Sequence, residues 1–590
     1  MESTPTENNI PLRGADFKTL SRALDYASSG KTGYNFYDGR GRLKSVLPYA
    51  ELQDQAREIA RRLAALELER GSRVALIANT GPDFMRVFFA CQYVGLVPVP
   101  LPATMFLGGR KAFEAQLRRL VRDCRAAAAL APADYLPFLL EAMEDDELAF
   151  VGEIAGLPAP LADCQLRPSG VDEVAYLQYT SGSTRYPRGV IITQKAVMHN
   201  LAAIVRDGVR IREGDRCCSW LPYYHDMGLV GMVLAPMASQ LSVDYLDTRD
   251  FAMRPRLWLE LLSRNRATIS FSPPFGYELC SHRLRDKPCD GYDLRAWRVA
   301  GVGAEIIRPE ALAHFAEIME QSGFDRRAFL PCYGMAECSL AVSFAELDKG
   351  YAVDAVDAEN FSRGRVARAV DEVEEVGRVR EFVICGRPLP GFEVDIRDEE
   401  GRSLPERHCG TLFVRGDSVM SGYLDKEQET REVLSPEGWL NTGDLAYMLD
   451  GSLVITGREK DLIIVNGRNI WPQDIEFIAE QQPEVRPGDS SAFSITGSDG
   501  WEKAVLVVQC RELDQAARAD LAMRLHARVR EELGIECLVE LVPRNTLPRT
   551  TSGKLSRSGA RNGFLKRHPL EQLGVSETLY SFPDIGEQAV

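Results

Sequence analysis

Thirteen residues, Leu177-Gln-Tyr-Thr-Ser-Gly-Ser-Thr-Arg-Tyr-Pro-Arg-Gly189, have the types and spacing of a phosphate-binding loop. Thr180, Ser181, Gly182, Ser183 and Thr184 place hydroxyls and a glycine just after an apolar run that reads as a strand. Small side chains let backbone N–H groups approach phosphate oxygens, and hydroxyls add further donors. The loop is not of the Walker type, because no Gly-Lys-Ser/Thr follows at the required spacing. A polar surface turn has the same composition, so the loop alone leaves both readings open.

Four distant segments bear on that choice. They are Tyr333-Gly-Met-Ala-Glu337, Asn441-Thr-Gly-Asp444, Gly457-Arg-Glu-Lys-Asp-Leu-Ile-Ile464 and Asn545-Thr-Leu-Pro-Arg-Thr-Thr-Ser-Gly-Lys554-Leu-Ser-Arg557. With the loop they form five ordered motifs over about 380 residues. The set resembles the adenylate-forming superfamily of acyl-CoA synthetases, luciferases and peptide-synthetase adenylation domains. The resemblance covers nearly the whole chain. It implies ATP as substrate and Mg²⁺ as cofactor. Lys554 matches the catalytic lysine that bridges carboxylate and phosphate oxygens. Glu337 matches the Mg²⁺ ligand, and Asp444 the acid that accepts both ribose hydroxyls. Arg458 matches a ribose or phosphate contact, and Lys460 the hinge residue about which a C-terminal domain rotates. Tyr333, ahead of Gly334, Met335 and Ala336, would stack on adenine, with Gly303, Ala304 and Glu305 lining its other side. The chemistry is consistent. The reaction joins two anions, so the site must offset their repulsion and stabilise charge developing at phosphorus.

Other segments are similar to fatty acyl-AMP ligases. Arg185 follows Thr184 where most of the superfamily has glycine, and Arg188 replaces its usual lysine. Trp220-Leu-Pro-Tyr-Tyr-His-Asp-Met-Gly-Leu229, Gly303-Ala-Glu-Ile-Ile-Arg-Pro309 and Gly467-Arg-Asn-Ile-Trp-Pro-Gln-Asp-Ile-Glu476 look like that family's segments. By this resemblance His225 approaches the α-phosphate. Forty-eight residues separate Glu337 from Gly386. That length implies a family-type insertion at about 343–380, which limits the second-step conformation or the coenzyme A path. The implied activity is formation of fatty acyl-AMP from a medium- or long-chain acid. Transfer to the phosphopantetheine of an acyl carrier protein follows. Coenzyme A as acceptor is the nearest alternative, and a catalytically inactive acyl- or nucleotide-binding protein is the distant one. Ser270-Phe-Ser-Pro-Pro-Phe-Gly-Tyr277 resembles the loop beside the acyl tunnel, which makes Ser272, Phe275, Gly276, Tyr277 and the nearby Met232 candidates for its wall. Ala235 to Gln240 are further neighbours.

The elements that must hold these residues follow from periodicity. Tyr49 to Leu68 carries Leu52, Ala56, Ile59, Ala60 and Leu63 at helical spacing. Arg73–Ala78, Ala126–Ala131, Val174–Tyr179, Arg216–Leu221 and Thr268–Phe271 read as short buried strands, and Phe84–Tyr93 as a helix. Short apolar strands alternating with helices imply parallel sheets covered by helices. Residues 390–456 are β-rich with glycine-containing turns. Beyond Gly457 come a strand at Val505–Val508, a helix at Asp514–Leu533 and a strand at Cys537–Val542. The expected α/β fold is therefore a large N-terminal region, 1–456, of two α/β subdomains plus a small β subdomain at about 390–456. A hinge at 457–461 and a smaller mobile C-terminal α/β domain, 462–590, complete it.

Bulk properties narrow the partners. The 590 residues are 45% hydrophobic and 26% charged, with net charge −15. Nucleic acid and anionic membrane reward a basic face, so neither is an expected partner. The 13 cysteines form no CxxC pair, which suits thiols kept reduced in a cytoplasm. Val87 to Gly109 is free of charge for 23 residues, long enough to span a bilayer. Pro98, Pro100 and Pro102 interrupt it, so a buried helix followed by an extended segment is expected and no membrane insertion.

Overall fold

The structure is a computed structural model. It describes residues 9–103, 109–160, 164–180, 187–284, 291–372, 378–465, 468–486, 488–496, 502–510, 514–550 and 555–568. Among the expected site residues, Ser181, Gly182, Ser183, Thr184, Arg185 and Lys554 lie outside the described residues.

The chain builds a mixed α/β fold around a nine-stranded sheet. Six of its strands run parallel, in the order Gly33–Tyr37, Ser242–Leu246, Arg216–Ser219, Ile269–Ser272, Val299–Val302 and Phe329–Gly334. Antiparallel strands close both edges, Leu43–Pro48 on one side and Ala341–Phe344 with Arg387–Pro388 on the other. The parallel strands are almost wholly buried because both faces are covered. A polar network crosses the inside of the sheet. Arg216 is 2.6 Å from Asp244, which also accepts from Asn35 and Asn265.

A second sheet is wholly parallel, in the order Val97–Leu101, Arg73–Ile77, Ala126–Leu130, Phe150–Gly152. Its outer strand carries Pro98 and Pro100, which lack a ladder donor and suit an edge. The uncharged stretch from Val87 begins inside the helix Pro82–Val94, which Gly95 stops in the left-handed conformation (φ 75°). Thirteen residues are too few to cross a bilayer. Among the described residues no helix is long and apolar enough to do so. The amphipathic helix Tyr49–Ala64 buries the five residues expected of its stripe, together with Tyr49. It ends four residues before Leu68, in a turn that gives Glu67 a φ of 52°.

The expected β region is an antiparallel meander of Phe392–Arg397, Gly410–Gly416, Leu440–Leu449 and Ser452–Arg458. Asp450-Gly451 turns the last hairpin with φ of 49° and 73°, as a two-residue turn with matching twist requires. That turn sets the register beside it, and a bulge between Leu445 and Ala446 then shifts the pairing by one residue, which puts Asp444 opposite Arg458. Within the region expected as an insertion, Val353–Asp357 pairs with Val379–Val383 and the helix Ala358–Gly364 follows the first strand. Phe361 and Phe382 from this segment share a core with Tyr447, Val454 and Trp471. Residues after Ile463 form their own core, in which Ser490–Thr496, Glu502–Gln509 and Cys537–Val542 make a sheet. Its long helix runs Gln515–Leu533, capped by Asp514, whose side chain accepts from Ala517 N–H.

Candidate active site

Loops after four parallel strands of the large sheet meet at one edge. They follow Ser219, Ser272, Val302 and Gly334 and carry His225, Phe275, Glu305 and Glu337 in turn. Ligands in open α/β sheets bind outside the carboxyl ends of strands. Here those ends border a cavity of about 1230 Å³.

The hairpin Val174–Tyr179 and Gly189–Thr193 presents the phosphate-type loop. Thr180 N–H donates to the Arg188 carbonyl at 3.1 Å and closes its neck. Gln178 Nε2 donates to the Tyr224 carbonyl at 2.6 Å, tying the hairpin to the turn that carries His225. In that turn Asp226 accepts from Met227 N–H and starts the widened π-type helix Met227–Leu234. Gly228 is required there, since a Cβ would stand 2.1 Å from the Pro222 carbonyl oxygen. His225 Nδ1 lies 2.8 Å from Asp226 Oδ1.

Tyr333 is the penultimate residue of the strand Phe329–Gly334, and Glu337 follows it. Gly334 permits a sharp return, because a Cβ would meet the Leu340 carbonyl oxygen at 1.9 Å. Tyr333 is buried, and its hydroxyl donates to Asp444 Oδ2 at 2.7 Å. Burial and the Asp444 charge push that phenol well above its ordinary range. Arg458 Nε approaches the other oxygen of Asp444 at 3.2 Å, and the Asp444 charge raises the guanidinium's pKa. Glu337 is buried, and burial pushes its carboxyl up, against a hydrogen bond from Tyr423 at 2.9 Å. A buried carboxylate beside a phosphate-type loop fits a hard divalent ion. Mg²⁺ takes one or two carboxylates and fills its shell with phosphate oxygens and water.

Thr180, His225, Ala304, Glu305, Tyr333, Gly334, Met335, Ala336, Glu337, Asp444, Arg458 and Lys460 all line this one cavity. Ala304 does so with a φ of 68°, which a non-glycine residue adopts at a cost. Thr550 and Leu555, on either side of the segment containing Lys554, line it too. Gly303 does not. It is buried where a Cβ would lie 2.6 Å from the Cys332 carbonyl oxygen, so it serves close strand packing.

The expected apolar wall needs correction. Of Met232, Ser272, Phe275, Gly276 and Tyr277 only Phe275 reaches the cavity, whereas Ala235, Pro236 and Ser239 of the neighbouring stretch 235–240 line it as expected. Met232 and Tyr277 are core residues, the latter donating to the Gly301 carbonyl at 2.9 Å. Ser272 is fully buried, and Gly276 abuts it and Trp220. Met227 and Gly231 join Ala235 and Ser239 in the wall, and the four recur every fourth residue and so share one helix face. Met232 is one position off that face. Ser239 donates to the Ala235 carbonyl at 2.6 Å, so its hydroxyl is already satisfied. Val205, Val209, Ile211, Cys217, Ile269 and Phe271 complete an apolar lining. The cavity also reaches the helices Thr248–Met253 and Pro274–Leu284. There the exposed cations Arg249, His282 and Arg283 accompany Phe251, Phe275 and Leu279.

Motif reading passed over Gln178, Trp220 and Tyr423. Gln178 Oε1 and Trp220 Nε1 are buried in the cavity wall without a hydrogen-bond partner among the described residues. A glutamine inside the apolar run Val174–Tyr179 was the available signal. Tyr423 carried none, since its contact with Glu337 spans 86 residues.

Residues 38–424 match the family model described as AMP-binding enzyme. The chain is similar, at 45% identity, to a Caulobacter vibrioides (strain NA1000 / CB15N) protein provisionally named an acyl-CoA synthetase. That match covers 95% of this chain and 98% of the relative. It is similar, at 32% identity, to the medium-chain-fatty-acid–[acyl-carrier-protein] ligase JamA of Moorena producens (strain JHB), over 93% and 96% of the two chains. A structure from work on the fatty acyl-adenylate ligases of E. coli and L. pneumophila superposes with a TM-score of 0.90. Its identity is 48%, covering 94% of this chain and 99% of that one. The chain belongs to the AMP-binding enzyme family and is an acyl-adenylate-forming ligase.

Proposed function

We propose that the enzyme activates a medium- or long-chain fatty acid with ATP and passes the acyl group to the phosphopantetheine thiol of an acyl carrier protein. The observation that carries this reading is the single cavity. Its lining combines polar Thr180, His225, Glu337 and Asp444 with Gly231, Ala235, Val209 and Ile269, and we read the apolar part as an arm for the acyl chain. Each methylene buried in such an arm contributes ~0.8 kcal/mol.

In the first step a carboxylate oxygen attacks the α-phosphorus, the bond to the β-phosphate oxygen breaks, and pyrophosphate leaves. Asp444 accepts the ribose hydroxyls. Tyr333 and Arg458 engage one oxygen each, and each oxygen keeps a further lone pair for the sugar. His225 has Nδ1 turned to Asp226, so Nε2 is the nitrogen left to meet an α-phosphate oxygen. Lys554 bridges the carboxylate and phosphate oxygens. Bound Mg²⁺, with Glu337 as its carboxylate, neutralises phosphate charge. In the second step the thiol sulfur attacks the acyl carbon, its proton is released, and AMP leaves.

Exposed Arg249, His282 and Arg283 beside Phe251 and Phe275 suit an acceptor with a slender amide-containing arm and an outer phosphate. Carrier proteins and coenzyme A share that arm. The carrier protein is favoured by the segment 353–383 packed against Trp471, and by the named activity of the Moorena relative. The test offers ATP and a ladder of fatty acids, first with coenzyme A and then with phosphopantetheinylated carrier protein. Products are read by mass. Acyl-carrier protein is expected as the main product. Acyl-CoA formed as fast would overturn the acceptor, and no acyl-AMP from any acid would overturn the whole reading.

A further inference from the structure

Tyr423 touches both the buried carboxylate and the neck of the phosphate-type loop. Its hydroxyl donates to Glu337 Oε1 at 2.9 Å. Its ring centre lies 4.9 Å from the guanidinium carbon of Arg188. Arg188 is the residue whose carbonyl closes the loop neck, and its side chain pairs with Glu429 at 2.8 Å.

The backbone around Tyr423 is fixed as firmly. The two-residue strand Gly422–Tyr423 pairs antiparallel with Gly189–Thr193, setting Tyr423 opposite Val190. Tyr423 N–H donates to Thr430 Oγ1 at 2.9 Å, which anchors it to the helix Glu427–Val433. Gly422 has φ 145°, and a Cβ there would lie 2.9 Å from Thr430 Cγ2, so that approach needs glycine. Three residues earlier, Met420 N–H donates to the Glu337 carbonyl at 2.8 Å. The segment 420–423 therefore holds Glu337 by both main chain and side chain.

We propose that Tyr423 is a positioning residue for the metal-dependent step, fixing one oxygen of Glu337 so that the other faces the metal–nucleotide, and linking that carboxylate to Arg188 at the loop neck. The proposal rests on the reading of Glu337 as the metal carboxylate. The reason is mechanical. A glutamate side chain has several rotatable bonds, and a carboxylate held by one donor keeps a single orientation at no cost when the ion arrives. The cation over the ring and the strand pairing keep the donor itself in place.

Tyr423→Phe removes the hydroxyl and keeps the ring under Arg188. The full-length enzyme is saturated with α,β-methylene-ATP, and Mn²⁺ binding is followed by electron paramagnetic resonance. Nucleotide affinity is measured separately in EDTA, and kcat is measured across a Mg²⁺ series. The expected results are Mn²⁺ affinity lowered ~10-fold, the size of one hydrogen bond to a charged group, and metal-free nucleotide affinity within about twofold of wild type. High Mg²⁺ is expected to restore kcat, which a merely structural loss would not allow. Wild-type Mn²⁺ affinity in Tyr423→Phe, with the site lost in Glu337→Gln, overturns this proposal alone. Unchanged Mn²⁺ affinity in Glu337→Gln overturns the reading of Glu337 itself. An equal loss of nucleotide affinity in EDTA also overturns the proposal, because the tyrosine would then support the loop and not the carboxylate.

Discussion

Glu337 is a carboxylate that the folded chain buries, and its neighbours only partly offset the cost. Burial raises its pKa, while the Tyr423 hydrogen bond and the Arg458 charge pull it back. A group whose folded pKa is raised gives its full stabilisation below the unfolded value, and loses it as pH rises through the folded value. In metal-free, nucleotide-free protein Glu337→Gln should therefore be more stable than wild type at neutral pH. Thermal melts from neutral pH down to about pH 4.5 should show the difference closing. A wild type more stable than the variant at neutral pH would refute the account. Lys554 is assigned by its motif. Lys554→Ala should keep nucleotide binding and slow adenylation by ~10²–10³-fold, as loss of a transition-state donor does. Pyrophosphate exchange at the wild-type rate would refute that role.

At the scale of elements, the helix continuing from Met227 through Ala238 lines the cavity and is expected to set acyl-chain length. Gly231, Ala235 and Ser239 face the cavity with small side chains. A Cβ at Gly231 would lie 3.2 Å from Leu340 Cδ2, a flexible side-chain end, so a larger residue can enter without forcing backbone apart. Gly231→Leu should leave short acids active and lower kcat/KM for long ones. The expected loss is about fourfold per methylene excluded. A chain-length profile that stays unchanged would place the acyl chain elsewhere. The helix periodicity could have located this face, but the choice among its faces depends on which strands and helices pack beside it.

At the scale of the whole molecule, the region after Ile463 is tied to the large region by charged side chains. Arg308 bridges Glu278 and Glu480, with 2.5 Å to Glu480. Burial opposes the Arg308 charge, and the two carboxylates overcome it and raise its pKa. Arg380 reaches Asp474 at 2.8 Å and lies over the ring of Trp471. These contacts hold an orientation in which Thr550 and Leu555 line the cavity. Glu480→Gln weakens that orientation. Pyrophosphate exchange should then fall several-fold, on the order expected for one charged hydrogen bond, and single-turnover thioester formation from preformed acyl-AMP should fall less. Equal losses in both steps would show that the bridge only stabilises the fold.

The sequence alone carried the chemistry. Five ordered motifs named the reaction class, because Tyr333, Glu337, Asp444, Arg458 and the segment around Lys554 keep their types and local spacing wherever the chain takes them. The strands at 73–77, 126–130 and 216–219 and the helix at Gln515–Leu533 were also legible, because hydrophobic periodicity is a local property. Tertiary structure alone decided the rest. It set Tyr423 against Glu337 and Arg188, put Met227 and Gly231 on the cavity wall, and moved Met232, Ser272, Gly276, Tyr277 and Gly303 off it. The physical reason is one of range. A hydrogen bond across 86 residues, or the face a buried helix turns to a cavity, depends on sheet order and close packing. No short window of sequence encodes either.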